Sequence, residues 1–137
     1  MRLEAKMKLT RGLGKTLLTW SVLSITSGIL LYLTPFLFIQ GVGLQAIIWG
    51  IIDAVIALFT LYKQSKQDLD KISMVLRINV GLDIIYQIIG FLLLVFLWQD
   101  LFIAGNGLGV IIQGAFLLVL DLYYYSKFRQ LNAISQN

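Results

Sequence analysis

The sequence predicts an all-α membrane protein whose four transmembrane helices form a bundle, and two observations support this fold class. First, the eleven Lys and Arg residues lie in three short segments, and the two long apolar stretches between them, 16–62 and 78–126, contain none. Second, charged residues make up 13% of the chain, against roughly a quarter in soluble domains. A chain of this length cannot bury so much apolar surface in a water-soluble core. The bilayer must therefore be part of its solvent.

Each apolar stretch is long enough for two spans, because one span needs roughly 20 mostly apolar residues. The first stretch breaks at Thr34 and Pro35, where the only proline of the chain ends a helix. The second breaks at Trp98-Gln99-Asp100. Glycines follow both breaks, and we interpret them as tight turns before the next helix. The predicted helices are 15–34, 43–62, 73–98 and 107–126.

The positive residues predict the orientation in the membrane. Cytoplasmic loops retain Lys and Arg, and neither of the two short loops on the opposite side contains one. Both termini are therefore expected in the cytoplasm, with the protein in a prokaryotic inner (cytoplasmic) membrane. The apolar run from Leu17 to Leu33 is longer than the roughly 7–15 residues of a signal-peptide core. We interpret it as a retained first span.

The two halves of the chain resemble each other. An offset of 64 residues pairs Gly41 with Gly105, Gly43 with Gly107, Gly50 with Gly114 and Lys63 with Lys127. Glycine and lysine matches at one offset favour a tandem duplication of a helical hairpin. Since each copy has two spans, both copies are expected to point the same way. The single domain 1–137 then consists of hairpin repeat 1 (15–62), a cytoplasmic loop (63–72), hairpin repeat 2 (73–126) and a C-terminal tail (127–137).

Three carboxylates lie inside the predicted spans: Asp53, Asp83 and Asp121. An Asp at the centre of a span costs roughly 2.5–3.5 kcal/mol on insertion, so each is a functional-site hypothesis. Counted from the nearest basic residue at about 1.5 Å per residue, Asp83 and Asp121 lie level with each other and Asp53 lies deeper. We therefore expect Asp83 and Asp121 to share a proton or a cation.

Each predicted helix also has one polar or small face, and these faces are expected to meet in the bundle. Further candidates for ligand or ion binding are Asn79, Gln87, Gln113 and Trp49, the last as an aromatic contact for a cation. The residues expected at close helix contacts are Ala46, Gly50, Ala54, Ala57, Ser24, Gly28, Gly90 and Gly114. A purely structural interpretation stays open, because buried Asp, Asn and Gln side chains commonly hydrogen-bond between membrane helices.

The sequence contains no Cys and no His, which excludes disulfides, cysteine nucleophiles, imidazole metal sites and Ser-His-Asp triads. We expect no cofactor, no metal and no nucleic-acid partner, since the basic residues flank apolar runs as membrane topology requires. A membrane enzyme is disfavoured, because Asp83 with Asp121 would be its sole acid–base pair. The leading hypothesis is a small proton- or cation-binding or transporting bundle. The alternative is a non-catalytic structural or accessory subunit, and a homodimer or larger membrane assembly suits either.

Overall fold

The structure is a computed structural model that describes residues 2–63 and 69–136, and this part of the chain forms four helices. They are α1 (Arg2–Tyr32), α2 (Leu37–Tyr62), α3 (Leu69–Phe96) and α4 (Leu101–Gln136). All four are long and apolar enough to cross a membrane, which confirms the predicted all-α chain with four candidate spans. Residues 64–68 of the predicted loop 63–72 lie outside the described residues.

The helices extend beyond the predicted spans. Helix α1 begins at Arg2 rather than near residue 15, and α4 continues to Gln136 rather than ending near 126. These polar ends stay helical because each still buries one face against its neighbours. Thr10 of α1 and Phe128 of α4 are almost completely buried. The predicted boundaries marked where the apolar run ends, and tertiary packing carries the helices further.

The glycines that follow each predicted break lie inside helices, so their interpretation as turns is wrong. Instead they let helix backbones touch. A Cβ placed on Gly105 would overlap the carbonyl oxygen of Phe38, and one on Gly41 would overlap the carbonyl oxygen of Phe102. Helices α2 and α4 therefore cross in direct backbone contact near their N-terminal ends, and both run in the same direction from this crossing.

Glycines also hold each hairpin together. A Cβ on Gly28 of α1 would lie 2.7 Å from the Gly43 carbonyl oxygen of α2, and one on Gly90 of α3 would lie 2.8 Å from the Gly107 carbonyl oxygen of α4. Close backbone approach at small residues is the usual way in which membrane helices associate. Helices α2 and α4 form the centre of the bundle, α1 packs on both of them, and α3 packs mainly on α4.

The two ends of the bundle differ in character, and we call them the basic side and the loop side. The basic side holds the N-terminal half of α1, the end of α2, the start of α3 and the end of α4. There Gly14 of α1 packs against Leu61 of α2, and Asn132 Nδ2 donates a hydrogen bond to Asp70 Oδ1 at 2.7 Å. The loop side holds the connections 33–36 and 97–100. An apolar core formed by all four helices lies toward the basic side, around Phe128.

Candidate functional site

All three carboxylates of the spans lie in the interior of the bundle. Asp53 of α2, Asp83 of α3 and Asp121 of α4 are 2%, 3% and 7% exposed. The carboxyl groups of Asp83 and Asp121 are within hydrogen-bonding reach of each other. Asp53 is close enough to both for electrostatic interaction. Three different helices thus bring their carboxylates together, and we call these three residues the carboxyl cluster.

The cluster contains oxygens that no hydrogen-bond donor satisfies. Asp53 Oδ2 and Asp83 Oδ2 are buried and have no partner among the residues that the structure describes. An ionised carboxylate only accepts hydrogen bonds, so Asp83 and Asp121 can hydrogen-bond to each other only when one of them carries a proton. Burying an unpaired charge is also costly. The arrangement can therefore hold a proton and exchange it among neighbouring carboxyl groups.

Small residues on α2 place Asp53 in the interior. Ala46, Gly50 and Ala57 recur with Asp53 at helical spacing, and all are buried. A Cβ on Gly50 would lie 2.6 Å from a side-chain carbon of Ile25, so α1 packs tightly along this face. Ala54, which the sequence also predicted at a close helix contact, is half-buried. The small face fits α2 closely against α1 and keeps Asp53 in the interior of the bundle.

The α3–α4 hairpin positions the other two carboxylates in a similar way. Gln87 of α3 lies over Gly114 of α4, and Gln87 Nε2 donates a hydrogen bond to the Ile111 carbonyl oxygen at 3.0 Å. This amide therefore joins the two helices directly. Asn79, another sequence candidate, is half-buried and lies one turn from Asp83 toward the basic side.

Gln113 and Ser24 meet at a different contact, between α1 and α4. Gln113 Oε1 accepts a hydrogen bond from Trp20 Nε1 at 2.9 Å, and Gln113 Nε2 donates one to Ser24 Oγ at 3.3 Å. The Trp20 ring stacks on Phe116 with centroids 3.9 Å apart. The Gln113 amide is thus engaged between helices, about two turns of α4 away from Asp121.

An aromatic and polar contact lies on the loop side of the carboxyl cluster. Trp49, one turn before Asp53, meets the Tyr86 ring edge-on with centroids 5.0 Å apart. Trp49 Nε1 donates to Gln45 Oε1 at 3.1 Å, and Gln45 Nε2 donates to Asn106 Oδ1 at 2.8 Å. Sequence reasoning selected Trp49 but missed Gln45 and Asn106. Their pairing depends on how α2 and α4 cross, which no spacing within one helix reveals.

Two further findings concern the surroundings of the cluster. Among the described residues, no group of three acidic side chains is arranged to hold a metal ion. A groove of about 580 Å³ lies away from the carboxylates, along α1 at the basic side.

Comparison with known proteins places the chain in a family. No curated protein and no solved structure matches it. One family model, described as a family of unknown function (DUF6992), matches residues 16–122. That segment contains the whole carboxyl cluster and the glycines at the α1–α2, α2–α4 and α3–α4 contacts from Gly28 onward, and it excludes the basic N-terminal part of α1. Because the match covers well over half of the sequence, the chain belongs to the DUF6992 family.

Proposed function

We propose that this membrane protein binds protons at the carboxyl cluster and conducts or exchanges them across the bilayer, alone or coupled to a cation. The contact between Asp83 and Asp121, with buried oxygens beside it that lack donors, carries the proposal. A carboxyl pair without a cationic side chain at its depth is a typical element of intramembrane proton relays.

Polar groups on both sides of the cluster support the passage of protons through the cluster rather than their storage in it. Toward the basic side, Asn79 lies one turn from Asp83. Toward the loop side, Gln45 and Asn106 form a hydrogen-bonded pair at the crossing of α2 and α4. Each of these groups can exchange a hydrogen bond with a water molecule or a carboxyl group. The carboxyl cluster would then lie midway along the path of the proton through the bundle.

Proton flux into liposomes tests the proposal. Protein reconstituted with a pH-sensitive dye inside the vesicles is exposed to a step in external pH. We expect Asp53→Asn and Asp83→Asn to lower the flux to that of protein-free liposomes, because an amide cannot release a proton at this position. Asp100→Asn is the matched control, since Asp100 is exposed at the loop side and accepts a hydrogen bond from the Ile103 N–H at 3.2 Å, and Asn also caps helices well. Undiminished flux in both cluster variants would contradict the proposal.

We also propose that the two hairpins are copies of one unit in the same orientation. Matching contacts support it: Gly28 meets Gly43 and Ile47, while Gly90 meets Gly107 and Ile111, in each case through the same kinds of atoms. The correspondence runs at an offset of 64 between α2 and α4 but at 62 between α1 and α3. A single offset therefore matches the first and third helices poorly.

This correspondence assigns counterparts to the carboxylates. Gly50 packs on the Ser21 carbonyl oxygen as Gly114 packs on that of Asp83, so Ser21 is the counterpart of Asp83. At the offset of 64, Ala57 is the counterpart of Asp121. Both Ser21 and Ala57 are 0% exposed. In this interpretation the carboxyl pair belongs to the second hairpin alone.

We propose further that both termini lie in the cytoplasm of a prokaryotic cell, as the positive-inside rule indicates. Because the sequence has no Cys, single introduced cysteines report sidedness cleanly. A membrane-impermeant maleimide added to intact cells should label Gln99→Cys at the loop side and should label Arg129→Cys only after permeabilisation. The reverse labelling pattern would refute this orientation.

One observation favours the alternative, in which the protein is an accessory subunit or a homodimer. For this alternative we propose no enzymatic activity and no nucleic-acid partner. Helix α3 packs mainly on α4, and a Cβ on Gly81 of α3 would meet nothing within 4 Å. A helix from another copy or another protein would cover this face. The protein extracted in mild detergent would then have a mass of more than one chain. The Asp53→Asn and Asp83→Asn variants would alter that assembly, and no variant would show measurable proton flux.

A further inference from the structure

A row of basic side chains follows the outer face of α1 at the basic side of the bundle. Lys8, Arg11 and Lys15 are spaced by three and four residues, or about one turn each, so they share one helix face. Together with three neighbours they form the groove of about 580 Å³, whose lining residues are Glu4, Met7, Lys8, Arg11, Gly12 and Lys15.

The opposite face of this segment is anchored in the protein. Thr10 and Leu13 are buried against the neighbouring helices. Gly12, at the edge of the groove, approaches α4 so closely that a Cβ there would lie 2.9 Å from Tyr124 Oη. The segment is therefore fixed as part of the bundle, and its row of basic residues stays on the outer face of α1.

The groove has an excess of positive charge. Three cationic side chains oppose the single carboxylate of Glu4 along it. Lys8 and Lys15 are exposed, and neither side chain makes an ion pair or hydrogen bond with any residue that the structure describes. The ammonium groups of Lys8 and Lys15, on long side chains about two helical turns apart, suit the oxygens of a phosphate group.

The position along the membrane normal indicates where the phosphate comes from. Gly14 packs against Leu61, so Lys15 lies level with the end of the apolar part of α2. Lys8 is about 10 Å further from the membrane centre at 1.5 Å per residue. The headgroup region of a bilayer occupies roughly 5–8 Å on each side of the hydrocarbon core, so the row spans it.

We infer that the groove along Lys8, Arg11 and Lys15 binds the phosphate group of an anionic phospholipid. The site is independent of the proposed proton exchange, since it lies on another face of the bundle. It also lies outside residues 16–122 that the family model matches. It is thus a property of this chain and not of the family segment.

Native mass spectrometry of the full chain, purified in a neutral detergent, tests the inference. One arm titrates phosphatidylglycerol, and the other titrates inorganic phosphate. We expect the double variant Lys8→Gln/Lys15→Gln to bind phosphatidylglycerol about thirty-fold more weakly, from the usual contribution of each lysine near an anionic headgroup. Glu4→Gln should bind it about five-fold more tightly, because one opposing charge is removed.

The matched control is Lys71→Gln/Lys127→Gln, which removes two exposed lysines at the same side but on α3 and α4. We expect this variant to retain wild-type affinity. An equal loss in both double variants would overturn the inference and indicate a diffuse attraction to the whole basic side. Saturation of the groove by inorganic phosphate as readily as by the lipid would overturn the lipid assignment. Proton flux in liposomes of neutral lipid should be the same in all three variants and wild type.

Discussion

Replacement of Gly105 by Ala is expected to disrupt the bundle. The added Cβ would overlap the carbonyl oxygen of Phe38, and a backbone atom of a packed helix cannot rotate away as a side chain can. Overpacking typically costs about 1–3 kcal/mol and occasionally more. Here the cost should reach or exceed the upper end, because α2 and α4 make the main contact between the two hairpins.

The control for this variant is Gly81→Ala. Gly81 is also a glycine inside an apolar helix, but its added Cβ would meet nothing within 4 Å. Ala is favoured over Gly in a helix interior by about 1 kcal/mol, so this variant should be as stable as wild type or slightly more so. Unfolding in detergent micelles with increasing denaturant measures both. Equal stability of the Gly105→Ala and Gly81→Ala proteins would refute the close crossing of α2 and α4.

The variant Asp83→Ser/Asp121→Ala is expected to fold normally and to lose proton exchange completely. It gives the second hairpin the residues that the proposed repeat places at the same positions of the first. Ser21 and Ala57 are completely buried there, so these side chains already suit such packing. The change also removes two carboxyl groups whose burial is costly.

Two measurements on the same preparation separate the outcomes for this variant. Its unfolding transition should stay close to that of wild type, and its proton flux in liposomes should fall to that of empty vesicles. Retained flux would show that the pair of carboxyl groups is not the exchanging site. Loss of folding would argue against the correspondence between the hairpins and would give Asp83 and Asp121 a structural role.

The sequence predicted the fold class because lipid imposes a strict rule. A span must be predominantly apolar over its whole length, so runs without Lys or Arg identify the four helices. It did not predict where helices end beyond the bilayer. The extension of α1 depends on Thr10 being buried, and that of α4 on Phe128, through contacts with distant parts of the chain. Glycines after Pro35 were equally ambiguous, because a turn and a close helix crossing both require a residue without a side chain.

The candidate site was predictable in part for a related reason. A carboxylate within a span is rare and costly, so Asp53, Asp83 and Asp121 were conspicuous, and periodicity placed Asp53 on a small inward face. Which polar groups pair across helices was not predictable. Gln113 bonds to Trp20 rather than to any carboxylate, and the Gln45–Asn106 pair depends on the α2–α4 crossing. Periodicity shows which residues share one face of a helix, but it does not show which other helix packs against that face.

The most direct measurement of the central claim is infrared difference spectroscopy on the reconstituted protein through a pH titration. A protonated carboxyl group has a carbonyl stretching band that an ionised one lacks, and deuteration shifts it. If the carboxyl cluster holds an exchangeable proton, wild type should show such a band within the bundle, with an intensity that changes with pH. The Asp83→Ser/Asp121→Ala protein should lack the component due to this pair. A spectrum with no protonated carboxyl band, or one that is identical in this variant, would contradict the account.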